Sequence, residues 1–307
     1  MIHNFDQLIE AAKKISHGRT RPVRVAVAAG NDRAALEALT EAKSMKIADG
    51  LLIGEKELII PTLDELGVDR HEFEIIECHG EAEICQRTVE AIHRKQAEII
   101  LKGKVKTAQL LKAVLNAETG LRTGNLISDA FVFEWLQRPM DNKLIIITDG
   151  GFTLLPDLNQ KIQLIENAVQ VAHALGNDLP KVAVLSAVET VNSSMQSTVD
   201  AAILAKMNER GQIKACLVDG PLALDNAISP ESAAMKGIKS PVAGRADILL
   251  FPNIESANIT AKATTYFSNF RLAHATMGAR APVLIPSRSD TSDAKLLTIA
   301  LNVVLCQ

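Results

Sequence analysis

The sequence predicts an α/β protein with two lobes, each built on a largely parallel sheet that is covered by helices. Short β-branched runs alternate with longer segments of helical periodicity along the whole chain, and this alternation is typical of parallel sheets with helices on both faces. The chain has 307 residues, of which 47% are hydrophobic, so it can bury a core. The polar segment 138–143 interrupts the pattern in the middle of the chain. We therefore place a domain boundary there.

The first half of the chain repeats a strand, turn and helix unit. An apolar stripe at 5–15 predicts the first helix. Strands are predicted at 23–28, 51–53, 73–78 and 98–101, and helices from the turn at 30–32 through 46, then at 61–66, 81–95 and 107–117. The alternation in 125–136 is too loose to assign.

The second half begins another round of the same pattern. Strands are predicted at 144–148, 182–185, 215–218, 247–251 and 283–285, and helices at 159–175, 195–209, 231–235, 256–270 and 295–305. The last helix is apolar almost all round, as expected of a helix that is covered on most sides.

The composition argues against several classes of protein. The net charge is −3 and only 3% of the residues are aromatic, so neither a basic face nor a stacking platform for nucleic acid is expected. The first residues carry charges at Asp6, Glu10 and Lys13, and no uncharged run approaches membrane-spanning length, which favours a cytoplasmic protein. The four cysteines lie in apolar segments without a C-x-x-C pair, as reduced buried thiols do.

The segment 287–293 is the first candidate for a functional site. Ser287, Arg288, Asp290 and Asp293 lie between a predicted buried strand and a predicted helix. Ligands of open α/β sheets bind where strands end, and a helix N-terminus beside an arginine attracts anions. The segment therefore predicts a phosphate site. The alternative is that Ser292 or Asp293 only caps the helix and Arg288 is solvated.

A second basic cluster follows another predicted strand. Lys102, Lys104 and Lys106 come without interleaved acids just before a helix, which favours anion binding slightly over a solvated basic turn. The chain lacks G-x-G-x-x-G, G-x-x-x-x-G-K-[ST], H-E-x-x-H and G-x-S-x-G. Nicotinamide binding, P-loop chemistry, a zinc site and a hydrolase elbow therefore lose support. Group transfer that involves phosphate remains.

Motifs along nearly the whole chain resemble the phosphate acetyltransferase and phosphate butyryltransferase family. They are Lys102-Gly-x-x-x-Thr107, Gly120-Leu-Arg122-Thr-Gly124, Pro180-Lys-Val-Ala-Val-Leu185, Lys206-Met-Asn, Asp219-Gly-Pro-Leu-Ala-Leu-Asp225-Asn-Ala227, Pro241-Val-Ala-Gly244-x-Ala-Asp247-Ile-Leu-Leu250 and Ser287-Arg-Ser-Asp290. Together they are most similar to the butyryltransferase branch.

The resemblance implies a fold, a reaction and an assembly. The fold is of the isocitrate and isopropylmalate dehydrogenase type, with a cleft between two three-layer α/β domains. Residues 1–139 with 276–307 form the first domain, and 140–275 form the second, which carries the contact of a homodimer. The reaction converts butyryl-CoA and phosphate to butyryl phosphate and coenzyme A by direct attack in a ternary complex. Coenzyme A is then a substrate, and neither a cofactor nor a metal is expected.

The resemblance also implies roles for individual residues. Arg288 and Arg122 bind phosphate, Ser287 donates a hydrogen bond to the reacting group, and the base is Asp290 or Asp293. Further positions assigned to phosphate or coenzyme A are Lys102, Thr107, Asn258 and Lys262. The chain departs from the family's usual Asp-Ile-Glu-Ala-Gly-Asn at 253–258 and from its Leu-Ser-His at 127–129, where Asp129 replaces the histidine.

Three rival functions stay open at this point. Acetyl transfer to phosphate is the nearest. A dehydrogenase or decarboxylase on the same architecture would need clustered carboxylates for a metal, and Asp219, Asp225 and Asp247 are scattered in the sequence. A non-catalytic protein that binds acyl-CoA or acyl phosphate is the third, and it would release no thiol.

Overall fold

The protein is described by a computed structural model at residues 1–135, 143–287 and 290–307. The chain divides into two compact units. Phe5–Asn125 and Ala273–Gln307 form one, here called the terminal unit, and Met1–Asn4 with Leu126–Leu272 form the other, the central unit. These limits differ from the boundaries at 139/140 and 275/276 that the sequence suggested. The reason at the first boundary is that the strand at Ser128–Trp135 pairs with the strand that follows it.

The terminal unit contains most of the first half of the chain. Its elements there are α1 (Phe5–His17), β1 (Arg24–Ala28), α2 (Arg33–Ser44), β2 (Asp49–Gly54), α3 (Lys56–Glu65), β3 (Glu74–Glu77), α4 (Glu81–His93), β4 (Ile99–Lys102) and α5 (Thr107–Val114).

The central unit follows with a second run of strands and helices. Its elements are β5 (Ser128–Trp135), β6 (Lys143–Thr148), α6 (Leu158–Ala174), β7 (Lys181–Leu185), α7 (Gln196–Glu209), β8 (Leu217–Leu222), α8 (Leu224–Ile228), α9 (Pro230–Met235), β9 (Ile248–Leu250) and α10 (Ile254–Tyr266). The chain passes to the terminal unit within β10 (Leu272–Met277) and ends with β11 (Val283–Leu284) and α11 (Ser292–Leu305).

The sheet of the terminal unit has the strand order β11-β4-β1-β2-β3. Every neighbouring pair is parallel. Val283 is in register with Ile100, and Leu284 with Leu101, so the carboxyl ends of β11 and β4 lie side by side. The last helix, α11, packs against α1 and α2. The C-terminal strand and helix thus complete the unit that the first half of the chain begins.

The second sheet has the order β10-β5-β6-β9-β7-β8. Strands β6, β9, β7 and β8 are parallel, whereas β5 is antiparallel to β6. Local signals explain where the helices start: Asp157 and Gln160 form a capping box at the first turn of α6, and Asp32 caps α2. Within the described residues, no helix is both long enough and apolar enough to cross a membrane.

Most predicted elements are present, with shifted ends. The largest shift is in α3, which begins at Lys56 with Pro61 inside the helix rather than at its start. Strands β5 and β10 and the short helix α8 were not predicted. In β5 almost every residue is buried on both faces, so the strand lacks the alternation by which a half-exposed strand is recognised.

Candidate active site

A short turn after β11 holds two of the predicted catalytic residues. The main-chain N–H of Ser287 donates to Asp290 Oδ2 at 2.7 Å. The N–H of Asp290 donates back to the Ser287 carbonyl at 3.1 Å. These reciprocal bonds close the turn and orient the Asp290 carboxylate. Arg288 and Ser289 lie between the two residues and outside the described part of the chain.

Two further residues lie close to Asp290. The buried Lys295 of α11 donates from Nζ to the Asp290 carbonyl oxygen at 2.6 Å. His274 Nε2, from β10, lies 3.7 Å from Asp290 Oδ2. Neither residue was predicted as part of the site. The signal for Lys295 was a single charge in an apolar helix, which requires a polar partner; a lone histidine among small residues in β10 gave no comparable signal.

Asp293 is exposed in the first turn of α11. The N-cap of this helix is Thr291, whose Oγ1 accepts the N–H of Ala294 at 3.2 Å. The alternative in which Ser292 or Asp293 caps the helix is therefore wrong. Asp293 remains where the positive end of the helix dipole favours a carboxylate.

The loop after β4 lies at the same edge of the sheet as the Ser287 turn. Lys102 Nζ donates to the carbonyl oxygens of Gly103 at 3.1 Å and Val105 at 3.3 Å, so the ammonium folds over its own loop. Gly103 packs against β1, where a Cβ would come within 2.3 Å of the Ala29 carbonyl oxygen. Only glycine allows this approach. The result is a tight loop with a cation at the carboxyl end of the strand.

An acid that is distant in the sequence contacts the end of this loop. Thr107 is the first residue of α5 and is exposed. Lys106, the residue before it, donates its main-chain N–H to the Glu81 carboxylate of α4. The sequence showed no sign of this contact, because Glu81 is distant in the chain and comes close only in the fold.

Arg122 lies in a segment that pairs with the chain ahead of β11. It forms an isolated antiparallel bridge with Ala279. On either side, Arg280 donates its main-chain N–H to the Leu121 carbonyl at 2.9 Å, and Thr123 Oγ1 donates to the Gly278 carbonyl at 2.6 Å. These contacts fix the main chain and leave the Arg122 side chain exposed.

The last two predicted binding residues belong to α10 of the central unit. Asn258 Nδ2 donates to the Gly150 carbonyl at 2.9 Å, whereas Lys262 is exposed. In this unit the structure adds a residue that was not predicted, Asp149, whose carboxylate accepts four main-chain N–H groups. The donors are Asp129 and Gly151 at 2.9 Å, Phe152 at 3.3 Å and Thr153 at 2.8 Å.

Burial raises the pKa of Asp149, the main-chain donors oppose that effect, and the nearby Asp129 adds to the rise. Because all four donors are main-chain N–H groups, Asp149 stabilises the conformation of the loop after β6. Asp129, at the position where the family usually has histidine, lies against the same loop: a Cβ on Gly151 would be 3.0 Å from Asp129 Oδ2. Across the described residues, no cluster of three or more acidic, histidine or cysteine side chains is arranged to hold a metal ion.

Comparison with known proteins gives a consistent result. A family model described as phosphate acetyl/butaryl transferase matches residues 83–303. A phosphate butyryltransferase of Clostridium beijerinckii is 45% identical over 98% of this chain and 97% of its own length. A phosphate acetyltransferase of Thermotoga maritima is 42% identical over 95% of this chain and 98% of its own. The crystal structure of a branched-chain phosphotransacylase from Enterococcus faecalis V583 has a TM-score of 0.83 and 28% identity, covering 92% of this chain and 99% of that one.

Proposed function

The chain belongs to the phosphate acetyl/butaryl transferase family, and from this premise we propose that it converts butyryl-CoA and phosphate to butyryl phosphate and coenzyme A. It is an acyltransferase with coenzyme A as a substrate. The relatives include both butyryl- and acetyltransferases at similar identity, so acetyl transfer is the second candidate. The proposed location is the cytoplasm, and no cofactor is proposed.

The proposed mechanism is direct transfer within a ternary complex. A phosphate oxygen attacks the thioester carbonyl carbon, the carbon–sulfur bond breaks, and the departing sulfur takes a proton. In reverse, the thiol of coenzyme A attacks the carbonyl of the acyl phosphate, its proton passes to a base, and phosphate leaves. A free thiol has a pKa of about 8.5, so a carboxylate that accepts its proton speeds the reaction at neutral pH.

The residues of the terminal unit that we assign to the reaction lie in the turn after β11 and in the segments near it. Asp290 is the preferred base, with Asp293 as the alternative, and Ser287 donates its hydroxyl hydrogen bond to the reacting group. Arg288 and Arg122 bind phosphate, a task for which the planar guanidinium group is suited. Lys102 and Thr107 add polar groups at the carboxyl end of the neighbouring strand β4. We assign Asn258 and Lys262, in the central unit, to coenzyme A.

The observation that carries the proposal is the closed turn between Ser287 and Asp290. It orients a half-buried carboxylate at the carboxyl end of β11, next to the Lys102 loop. This is the edge of a parallel sheet at which ligands bind.

The enzyme's own cysteines are poor candidates for a covalent nucleophile. Burial is the main cause that raises the pKa of Cys78, Cys85 and Cys216 to about 11 and that of Cys306 to about 12. At neutral pH these thiols stay protonated, whereas the thiolate is the reactive form. This supports direct attack by the coenzyme A thiol or by phosphate.

A homodimer is part of the proposal. The outer face of α10 presents Ile259 and Tyr266, which are two helical turns apart and therefore on one side of the helix. Both are exposed, and Phe267 beyond the helix end is 89% exposed. Leu154 and Leu155 of the same unit are exposed as well. Apolar side chains in this number are typical of a surface that a partner covers.

The test is release of free thiol from butyryl-CoA in the presence of phosphate, followed with a thiol reagent. We expect release that depends on both protein and phosphate, with butyryl phosphate formed in equal amount. Because the four protein thiols stay protonated, the folded enzyme should add little background at neutral pH. Thiol release without phosphate would indicate a hydrolase, and binding of butyryl-CoA without release would indicate a binding protein.

A further inference from the structure

His274 is buried in β10, and its main chain is hydrogen-bonded to side chains of α11. Its main-chain N–H donates to Thr298 Oγ1 at 3.1 Å, and its carbonyl oxygen accepts from Asn302 Nδ2 at 2.8 Å. Asn302 also donates to the Thr298 carbonyl at 2.7 Å, and both α11 residues are buried. The backbone of His274 is therefore fixed by two polar side chains of one helix.

The ring of His274 lies beside the Asp290 carboxylate. Nε2 lies 3.7 Å from Oδ2, and the two side chains are only 11% and 17% exposed. The carbonyl of Asp290 is held by Lys295 and its Oδ2 by the Ser287 N–H. The Ser287 N–H and His274 Nε2 both approach this carboxylate at Oδ2.

We infer that His274 is a positioning residue, which holds the Asp290 carboxylate in the orientation that proton transfer requires. This inference rests on the proposed function, because it assigns to Asp290 the proton of coenzyme A. An imidazole packed beside a carboxylate restricts the rotation of that carboxylate. The hydrogen bond that Lys295 donates goes to the Asp290 carbonyl oxygen, so it holds the main chain and not the carboxylate.

The experiment compares His274→Leu and His274→Gln in thiol release from butyryl-CoA with saturating phosphate. Leucine removes the ring nitrogen, and we expect kcat to fall about tenfold, the size typical of coupling between groups in contact. KM for butyryl-CoA and for phosphate should stay within about twofold, because His274 acts through Asp290 and not on the substrates. Glutamine places an amide N–H near the position of Nε2 and should restore most of kcat.

A double-mutant cycle separates positioning from a merely structural role. In an Asp290→Asn background, His274→Leu should cause no further loss of kcat, since the group that it positions is already absent. The matched control is His93→Leu in the same unit, an exposed histidine whose Nε2 lies 3.1 Å from the Thr119 carbonyl oxygen. It should leave kcat unchanged.

Two results would overturn the inference: full activity of His274→Leu, or an equal loss from this change in the unmutated protein and in the Asp290→Asn background. Parallel melting curves identify a variant that fails to fold, and in that case His274→Gln decides alone. If the unmutated protein releases no thiol, the proposed function fails and this inference fails with it. An active protein that is indifferent to residue 274 refutes the inference alone.

Discussion

Asp290 and Asp293, the two candidates for the base, lie in different surroundings. Asp290 is half-buried, its carboxylate accepts the Ser287 N–H, and His274 Nε2 lies 3.7 Å from its Oδ2. Asp293 is exposed at the start of α11. A general base must be held in reach of the proton that it accepts, and the half-buried position and the main-chain hydrogen bond of Asp290 meet this requirement. We therefore expect the reaction to depend on Asp290.

Replacement of each aspartate by asparagine tests this choice. Asp290→Asn should lower kcat about 10²- to 10⁴-fold, because the amide cannot take a proton, whereas it can still accept the Ser287 N–H. Asp293→Asn should stay close to the unmutated rate. The rates are measured in both directions, from butyryl-CoA and from butyryl phosphate. A normal rate for Asp290→Asn with a large loss for Asp293→Asn would assign the base to Asp293.

Arg288 lies outside the described residues, and its role rests on its place in the Ser287-Arg-Ser-Asp290 motif. Arg288→Lys keeps the charge and loses the planar two-point contact with phosphate. We expect kcat to fall on the order of 10²-fold, as for loss of one donor to a developing charge. The control is Arg280→Lys, an exposed arginine whose main chain bonds to Leu121. Near-normal turnover of Arg288→Lys would exclude a bidentate contact with phosphate.

At the scale of elements, a buried ion pair joins α6 to α7. Lys161 Nζ lies 2.5 Å from Asp200 Oδ2, and Gln196 Nε2 donates to Asp200 Oδ1 at 2.8 Å. Both charged residues are buried. A buried charge that loses its partner is destabilising, whereas removal of both charges is close to neutral.

Lys161→Met should therefore lower the free energy of unfolding by about 3–5 kcal/mol. Lys161→Met combined with Asp200→Leu should recover most of this loss. The measurement is urea denaturation at neutral pH, with Lys206→Met at the exposed pair Lys206–Glu209 as the control, which should unfold at the unmutated midpoint. A double variant that is less stable than Lys161→Met would contradict the argument.

Elements with a regular pattern were predictable from the sequence, and elements without one were not. The helix α11 and the turn before it were recognised from an apolar run and a polar cluster. Strand β10 was missed because its buried residues include His274 and Thr276 among alanines, so it shows no run of large β-branched residues. The same holds for the site. Ser287 and Asp290 are close in the chain and were predicted, whereas His274 is distant in the chain and is brought near Asp290 by strand β10.

Some of the motifs that identify the family serve packing. Gly244 donates its N–H to the Asn226 carbonyl at 2.7 Å, which ties the 241–250 stretch to the 219–227 stretch. Gly244 has a φ of +73°, and a Cβ there would lie 2.5 Å from Pro230 Cα. Any other residue would strain this crossing. Part of what these motifs preserve is therefore the packing of the central unit.

At the scale of the whole molecule, the proposed homodimer makes a direct prediction. The unmutated protein should sediment at twice the 33.1 kDa of the chain. Phe267→Asp, which places a charge on the exposed apolar surface of the central unit, should shift it toward the monomer. Leu58→Asp alters an exposed leucine on α3 of the terminal unit and should leave the dimer intact. A monomeric unmutated protein would contradict the dimer.

The acyl preference belongs to the complete enzyme with both substrates bound. The support for butyryl is the resemblance of the 219–226 and 241–250 stretches to the butyryltransferase branch and the 45% identity to a phosphate butyryltransferase. The 42% identity to a phosphate acetyltransferase supports acetyl transfer instead. The two identities are too close to decide, so the decision rests on the energetics of chain length.

If the acyl chain binds in an apolar pocket, each buried methylene contributes about 0.8 kcal/mol, so butyryl-CoA should exceed acetyl-CoA about tenfold in kcat/KM, with propionyl-CoA between them. Isobutyryl-CoA tests the branched acids that the same pocket should accept. The measurement is kcat/KM for the four thioesters with saturating phosphate. If acetyl-CoA equals or exceeds butyryl-CoA, the enzyme acts as a phosphate acetyltransferase.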